Sequence, residues 1–266
     1  MSRNHLSATK IGDIHSFSKK ESQMPPFQNI DIIHLHKKGM TRKEMPVSTE
    51  SQLTICINND LFDQMMQTPG DEHALITGLL FNDRLISSFD DMKNYSLTAS
   101  EGHDTVSIQI QGKQADFSDN NTQIKKQAHA KKLSLPDIED CFNALSTYQP
   151  VRAITRSTHA AILFDRFFHP IAAKEDVGRH NALDKVIGQA LMDETLSNAY
   201  ILVLSSRVSH ELISKVINTP VKCILSVSRP TSLAVEIARK EDISLACLSK
   251  NDGVLIFSGA DRFDIS

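Results

Sequence analysis

The chain has 266 residues, 40% of them hydrophobic and 23% charged, with a net charge of −3 and a pI near 6.4. These values describe an ordinary globular chain of one large or two smaller domains, and they leave no bulk electrostatic case for nucleic-acid binding. No apolar run reaches the roughly 18 residues that cross a bilayer, and the N-terminal MSRNHLSATKIGDIHSFSKKESQ lacks an apolar signal segment, so a cytoplasmic protein with no membrane partner is expected.

Residues 1 to 28 are polar and read as a mobile tail. IDIIHLH and QLTICIN are predicted strands from their β-branched content. Asp71 to Leu80 follows Pro69-Gly70 and is predicted helical, with Leu75, Leu79 and Leu80 inward. TVSIQIQ alternates as a strand should, which makes 29 to 110 a small α+β N-terminal domain. Residues 111 to 132 are polar and read as a flexible loop. SLPDIEDCFNAL opens a helix, with Ser134 as cap, Pro136 in the first turn and acids at the positive end.

From Ala153 the pattern becomes regular. THAAILFD is a predicted strand, and Asn181 to Leu191 a helix with Leu183, Val186, Ile187, Ala190 and Leu191 on one face. The apolar strand AYILVL precedes a helix at Ser209 to Ile217, and VKCILSV precedes one at Ser232 to Arg239. SLACLS and VLIFS are joined through Asn251-Asp252-Gly253, a hairpin turn. Apolar strands alternating with helices imply an α/β domain, with its sheet covered on both faces, over 133 to 266.

Three loops ahead of helices carry hydroxyls or an arginine: EDVGRHN, SSRVSHE and SRPTSLA. If their strands are parallel, the loops leave one edge of the sheet, where open α/β sheets bind ligands. The candidate residues for a phosphate or pyrophosphate are Gly178, Arg179, His180, Asn181, Ser206, Arg207, Arg229 and Thr231. Glu175 and Asp176 would orient them or hold ribose or base groups. Asp184 and Lys185 read as surface charges. The competing reading is that the hydroxyls only cap helices and the arginines are solvated.

Other chemistries fail. No phosphate-binding glycine motif of the Walker or dinucleotide type is present. The zinc deaminase signature is missing, and His159 is followed by Ala160-Ala161 rather than a glutamate at the required spacing. No metal ligands are expected. Of the four cysteines, Cys56, Cys223 and Cys247 lie in apolar strands and read as buried. In Cys141, on the predicted helix, the helix dipole and the nearby acids offset to leave an ordinary thiol.

EDVGRHNALDKVIG closely resembles the signature of the formate dehydrogenase accessory protein family, the FdhD-type sulfur carriers. TPGDEHALITGLLF, THAAILF, SSRVSHELISKV and SRPTSLAVEIA resemble further segments of the family, in the same order. The resemblance implies a cytidine-deaminase-like three-layer α/β/α C-terminal domain without zinc, and a homodimer. It implies sulfur transfer from a cysteine desulfurase to the molybdenum bis-molybdopterin guanine dinucleotide cofactor of formate dehydrogenase, with the enzyme's apoprotein as partner and GDP or GTP as a mimic of the cofactor. The family's cofactor contact near the C-terminus maps loosely onto Leu248, Ser249, Lys250, Asn251, Asp252 and Gly253, with Leu248 and Lys250 replacing the usual aromatic and arginine. The family's C-G-x-C motif has no counterpart in 111 to 132, so no catalytic residue is carried over. Three roles stay open: an accessory, sulfur-carrier-like protein; a relative that binds the cofactor or a guanine nucleotide as a chaperone or regulator without carrying a persulfide; and an unrelated enzyme on a deaminase-like scaffold, against which the missing zinc ligands count.

Overall fold

The computed structural model describes residues 24–100, 102–110, 131–249 and 252–265. Twelve strands form three sheets among these residues. Strands β1 (Phe27–His36) and β2 (Gly39–Ser48) pair as an antiparallel ribbon of two ten-residue strands. Strands β3 (Ser51–Ile57), β4 (Asp60–Gln67), β5 (Met92–Ser100) and β6 (His103–Ile110) make a four-stranded sheet in the order β4-β3-β6-β5. The third sheet holds β7 (His159–Phe164), β8 (Pro170–Asp176), β9 (Ile201–Leu204), β10 (Cys223–Ser226), β11 (Ser244–Leu248) and β12 (Val254–Ser258), in the order β12-β11-β10-β9-β7-β8.

The expected three layers are present around this six-stranded sheet. Alternate residues of each strand point to opposite faces. Ala160, Ile162, Phe164, Ile201, Val203 and Leu225 pack with Ile138, Cys141, Phe142 and Leu145 of helix α2 (Leu135–Thr147). Ala161, Leu163, Leu202, Leu204, Ile224 and Leu245 pack on the other side with α4 (Arg179–Met192), α5 (His210–Val216) and α6 (Ser232–Lys240). That second core continues into the four-stranded sheet through α1 (Glu72–Asn82), which is buried along almost its whole length. The 29 to 110 and 133 to 266 portions therefore share one apolar core.

The α1–α4 crossing depends on two glycines. A Cβ on Gly78 would overlap the carbonyl oxygen of Asp184, and one on Gly188 would overlap that of Ala74. The two backbones touch without side chains between them.

Several elements differ from the sequence expectation. Strands β2, β4 and β8 were not anticipated, because GMTRKEMPVS, DLFDQMMQ and PIAAKED carry charges or lack alternation. β2 and β4 are largely exposed, so no apolar face is needed there. β5 was missed likewise, its MKNYSLTAS being polar at the exposed positions. Residues 27 and 28, read as tail, begin β1, and the rest of the predicted tail up to residue 23 lies outside the described residues, as do 111–130 of the predicted loop. The predicted start of α2 is borne out: Ser134 Oγ accepts from the Asp137 amide, and the Asp137 carboxylate accepts from the Ser134 amide at 3.1 Å, a capping box.

Replacing Gly188 by alanine is expected to force the α1–α4 seam apart and cost about 1–3 kcal/mol or more, the usual range for overpacking. Urea denaturation of the variant beside the parent measures it. An unchanged midpoint would mean that the helices do not cross this closely in solution.

Candidate functional site

Strand direction decides which loops meet. β9, β10 and β11 run parallel, while β7 is antiparallel to both β9 and β8. β8 therefore points the same way as β9, and the segments after β8, β9, β10 and β11 all leave one edge of the sheet. β7 starts at that edge with His159. The loops after β8 and β11 are four strand spacings apart, about 19 Å at the usual 4.8 Å per strand. The edge is thus a long rim rather than a point of convergence.

The segment after β8 is held by buried charge. Asp176 is fully buried. Its Oδ1 accepts from the Gly178 amide at 2.8 Å and from Asn181 Nδ2 at 3.1 Å, and its Oδ2 accepts from the Thr68 amide at 3.0 Å. Lys185, 1% exposed, lies 2.8 Å from Asp176 Oδ2 and donates to the Thr68 carbonyl at 2.8 Å. Thr68 Oγ1 in turn accepts from the Val177 amide. Asn181 also donates to the Met66 carbonyl, and Lys174 pairs with Asp71 at 2.6 Å. The 68–71 segment and the start of α4 are one hydrogen-bonded unit.

The expectation that Asp184 and Lys185 are surface charges is wrong: both are buried. Asp184 accepts from Asn82 Nδ2 at 2.6 Å and from Lys215 Nζ at 2.8 and 2.6 Å, tying α4 to α1 and α5. Asp176 is in the same motif as Lys185, but the other partners, Lys215, Asn82 and Thr68, lie 31, 102 and 117 residues away, and no local pattern announces them. Glu175 is equally committed. Its carboxylate accepts from the Val151 and Arg152 amides and from Thr158 Oγ1, holding the N-terminus of helix α3 (Pro150–Thr155).

The cations face outward. Among the described residues no carboxylate pairs with Arg179, Arg207 or Arg229. Arg179 opens α4 half-buried, and its Nε has no hydrogen-bond partner. Arg207 and Arg229 are exposed. His180 Nε2 lies 3.1 Å from Glu211 Oε2, off the line of a hydrogen bond. Burial and then Arg179 lower its pKa, with Glu211 pulling the other way. Gly178 caps α4 in extended conformation, and a Cβ there would press on the Asn181 side chain.

His159, not among the predicted site residues, belongs to this rim. Its Nδ1 lies 3.4 Å from Ser205 Oγ. Its pKa is lowered by burial first, then by Arg152 and Arg179, which keeps the ring neutral near pH 7. Arg152 and Ser205 were also missed; Ser205 opens the SSRVSHE loop already singled out for its hydroxyls, whereas Arg152 had no sequence signal. Ser206 is buried and donates to the Arg207 carbonyl, and Thr231 caps α6 by accepting from the Ala234 amide. The capping reading therefore holds for Thr231, whereas Ser209, ahead of α5, has no partner for its Oγ. Leu248, Ser249, Asp252 and Gly253 lie where β11 turns into β12, with the Ser249 amide donating to the Gly253 carbonyl. Lys250 and Asn251 lie outside the described residues.

The thiols differ from expectation in two places. Cys141 is 1% exposed, and burial, then Asp137 and Asp140, push it up to about 12. It is not an ordinary thiol, because the helix presents it to the core beneath the sheet. Cys56 is only half-buried, on the side of β3 away from Leu53 and Ile55. Cys223 and Cys247 are buried, as expected, and burial raises both. Among the described residues no cluster of His, Cys, Asp or Glu could hold a metal, and no helix is long and apolar enough to cross a membrane.

A family model described as the FdhD/NarQ family matches residues 48–264. The chain is 28% identical over 258 residues to the sulfur carrier protein FdhD of Nocardia farcinica, covering 87% of this chain and 92% of that protein. It is 29% identical over 280 residues to the protein of the same name from Thermoplasma acidophilum, covering 94% and 98%, and 30% identical over 237 residues to that of Sulfolobus acidocaldarius, covering 82% and 91%. The crystal structure of a Desulfotalea psychrophila protein described as a formate dehydrogenase accessory protein superposes with a TM-score of 0.74 at 20% identity, over 90% of this chain and 100% of that one.

Lys185→Met is expected to leave the Asp176 carboxylate buried and uncompensated, at a cost of about 3–5 kcal/mol. Equilibrium unfolding measures this. A loss under about 1 kcal/mol, the value of an exposed pair, would show that water reaches the pair.

Proposed function

The chain belongs to the FdhD/NarQ family, and on that premise we propose that it is an accessory protein for formate dehydrogenase that binds the guanine dinucleotide form of the molybdenum cofactor. Its partners in this reading are the formate dehydrogenase apoprotein, a cysteine desulfurase and a second copy of itself, all in the cytoplasm. The observation that carries the reading is the rim itself. Arg179, Arg207 and Arg229 stand on one sheet edge, and none has a carboxylate partner among the described residues. A span of about 19 Å between the outer loops suits a long ligand with separated phosphates better than a single anion.

The chemistry of the donors fits such a client. Arg179, with an unpartnered buried Nε, and the two exposed arginines would meet phosphates as planar donors. Leu248, Ser249, Asp252 and Gly253, at the β11–β12 end of the rim, would meet the guanine end. Neutral His159 and Ser205 offer a donor and an acceptor between them. Glu175 and Asp176 contribute by fixing α3 and α4, not by touching the ligand.

The cysteines favour the second role, binding without persulfide transfer. Thiolate is the attacking form, and access is required. Cys141, Cys223 and Cys247 meet neither condition, and residues 111 to 132 contain no cysteine. Cys56 is accessible but lies on β3 of the four-stranded sheet, not on the arginine rim.

Calorimetry with GDP is expected to show binding that weakens roughly ten- to a hundredfold in Arg179→Ala, the loss of a charge-assisted hydrogen bond worth about 1.5–3 kcal/mol. No binding at millimolar GDP would reject the rim as a nucleotide site.

After incubation with a cysteine desulfurase and cysteine, then trapping and weighing, the chain is expected to keep its unmodified mass. A sulfur adduct that disappears in Cys141→Ala or in Cys56→Ala would restore the carrier role through that thiol.

A further inference from the structure

The β1–β2 ribbon is out of proportion to its support. Two strands of ten residues extend about 33 Å, and a two-stranded hairpin by itself is marginal in water. Yet it exposes large apolar side chains on both faces. Ile33, Leu35 and Met40 are 60%, 80% and 69% exposed, and Leu35 and Met40 are cross-strand partners on one face. Ile30 and Met45, partners on the other face, are each 44% exposed. Its tip is basic: Lys37, Lys38, Arg42 and Lys43, with no acid between them.

A second surface has the opposite character. β4 is an edge strand, hydrogen-bonded only to β3. It exposes Leu61, Phe62 and Met66 at 64%, 38% and 50%. Its charges are Asp60 and Asp63, with no base from 58 to 70, and Asp63 helps raise the pKa of nearby Asp83. Among the described residues none of the four tip cations, Asp60 or Asp63 is in an ion pair. Unprotected edges take up a strand from elsewhere, and exposed apolar patches of this kind mark interfaces.

We propose that the β1–β2 ribbon is a dimerisation arm that lies along β4 of a second copy of this chain, its basic tip against Asp60 and Asp63. One chain carries both halves of the contact, so a two-fold axis satisfies each arm with the other copy's edge. Arm and edge offer about 30 residues per copy, enough for a stable interface, which engages roughly 20–30 a side. The proposal deepens the homodimer of the preceding reading by giving it an address.

The test uses the full chain and sedimentation velocity at micromolar concentration. Lys37, Lys38, Arg42 and Lys43 are changed to Glu in one variant, and Asp60 and Asp63 to Lys in another. Far-UV circular dichroism confirms that each is folded. The parent is expected to be a dimer. Each variant alone is expected to dissociate about tenfold more readily or further, the scale of losing a charge-assisted contact. An equimolar mixture of the two is expected to recover the dimer, because the reversed arm then meets the reversed edge on one side and the native arm meets the native edge on the other. Leu35→Glu, at an exposed position, should weaken the parent dimer without touching the tip charges. A monomeric parent overturns both the arm and the homodimer. A parent dimer indifferent to both reversals, or a mixture that stays monomeric, overturns the arm and leaves the homodimer standing on another surface.

Discussion

The buried Asp176–Lys185 pair is the constraint on which the rest of the structure depends. Each charge is almost wholly removed from water, which is costly, and each is compensated by main-chain groups of the 68–71 segment. Such pairs add little net stability, but this one is tied to a single residue: Thr68 serves both ions at once, through its amide and its carbonyl. That tie docks α1 on α4, sets Gly178 as the cap of α4 and turns Arg179 and His180 to the sheet edge. The crowding of opposite charges in EDVGRHNALDK follows from this. Asp176, Asp184 and Lys185 are internal ties, Glu175 anchors α3, and only Arg179 and His180 face the rim.

A similar division runs through the whole edge. Glu175 and Asp176 are consumed by amides and by Lys185, Glu211 lies against His180, and the arginines are left over. Three arginines without carboxylate partners among the described residues give the rim cationic donors without the chain as a whole being basic. The net charge of −3 therefore said nothing about the local chemistry.

The sheet that positions this rim was legible because its strands are short, apolar and separated by helices with caps of ordinary chemistry. Ser134 with Asp137 and Thr231 with Ala234 are local devices, and local devices show in sequence. The shared edge was legible only conditionally. It required parallel strands, and the antiparallel β7 inserted between β8 and β9 preserves the common edge for a reason that no pattern in the chain encodes. The exposed strands β2 and β4 were invisible because solvent on their faces removes the alternation by which strands are recognised. Burial of Asp184, Lys185 and Cys141 was misread for the same underlying reason: charge and helix position were read locally, while the partners and the opposing sheet come from far along the chain.

The glycine seam between α1 and α4 has a consequence for how the chain is made. α1 is apolar around nearly its whole circumference, and the helix that covers it is encoded about 100 residues later. At a synthesis rate of about 5–20 residues per second, α1 waits roughly 5–20 s for its partner. During that interval its surface is open to every passing chain, and the four-stranded sheet shields one side only. Until residues 179 to 192 are made, the apolar surface of α1 that α4 covers has no partner in its own chain.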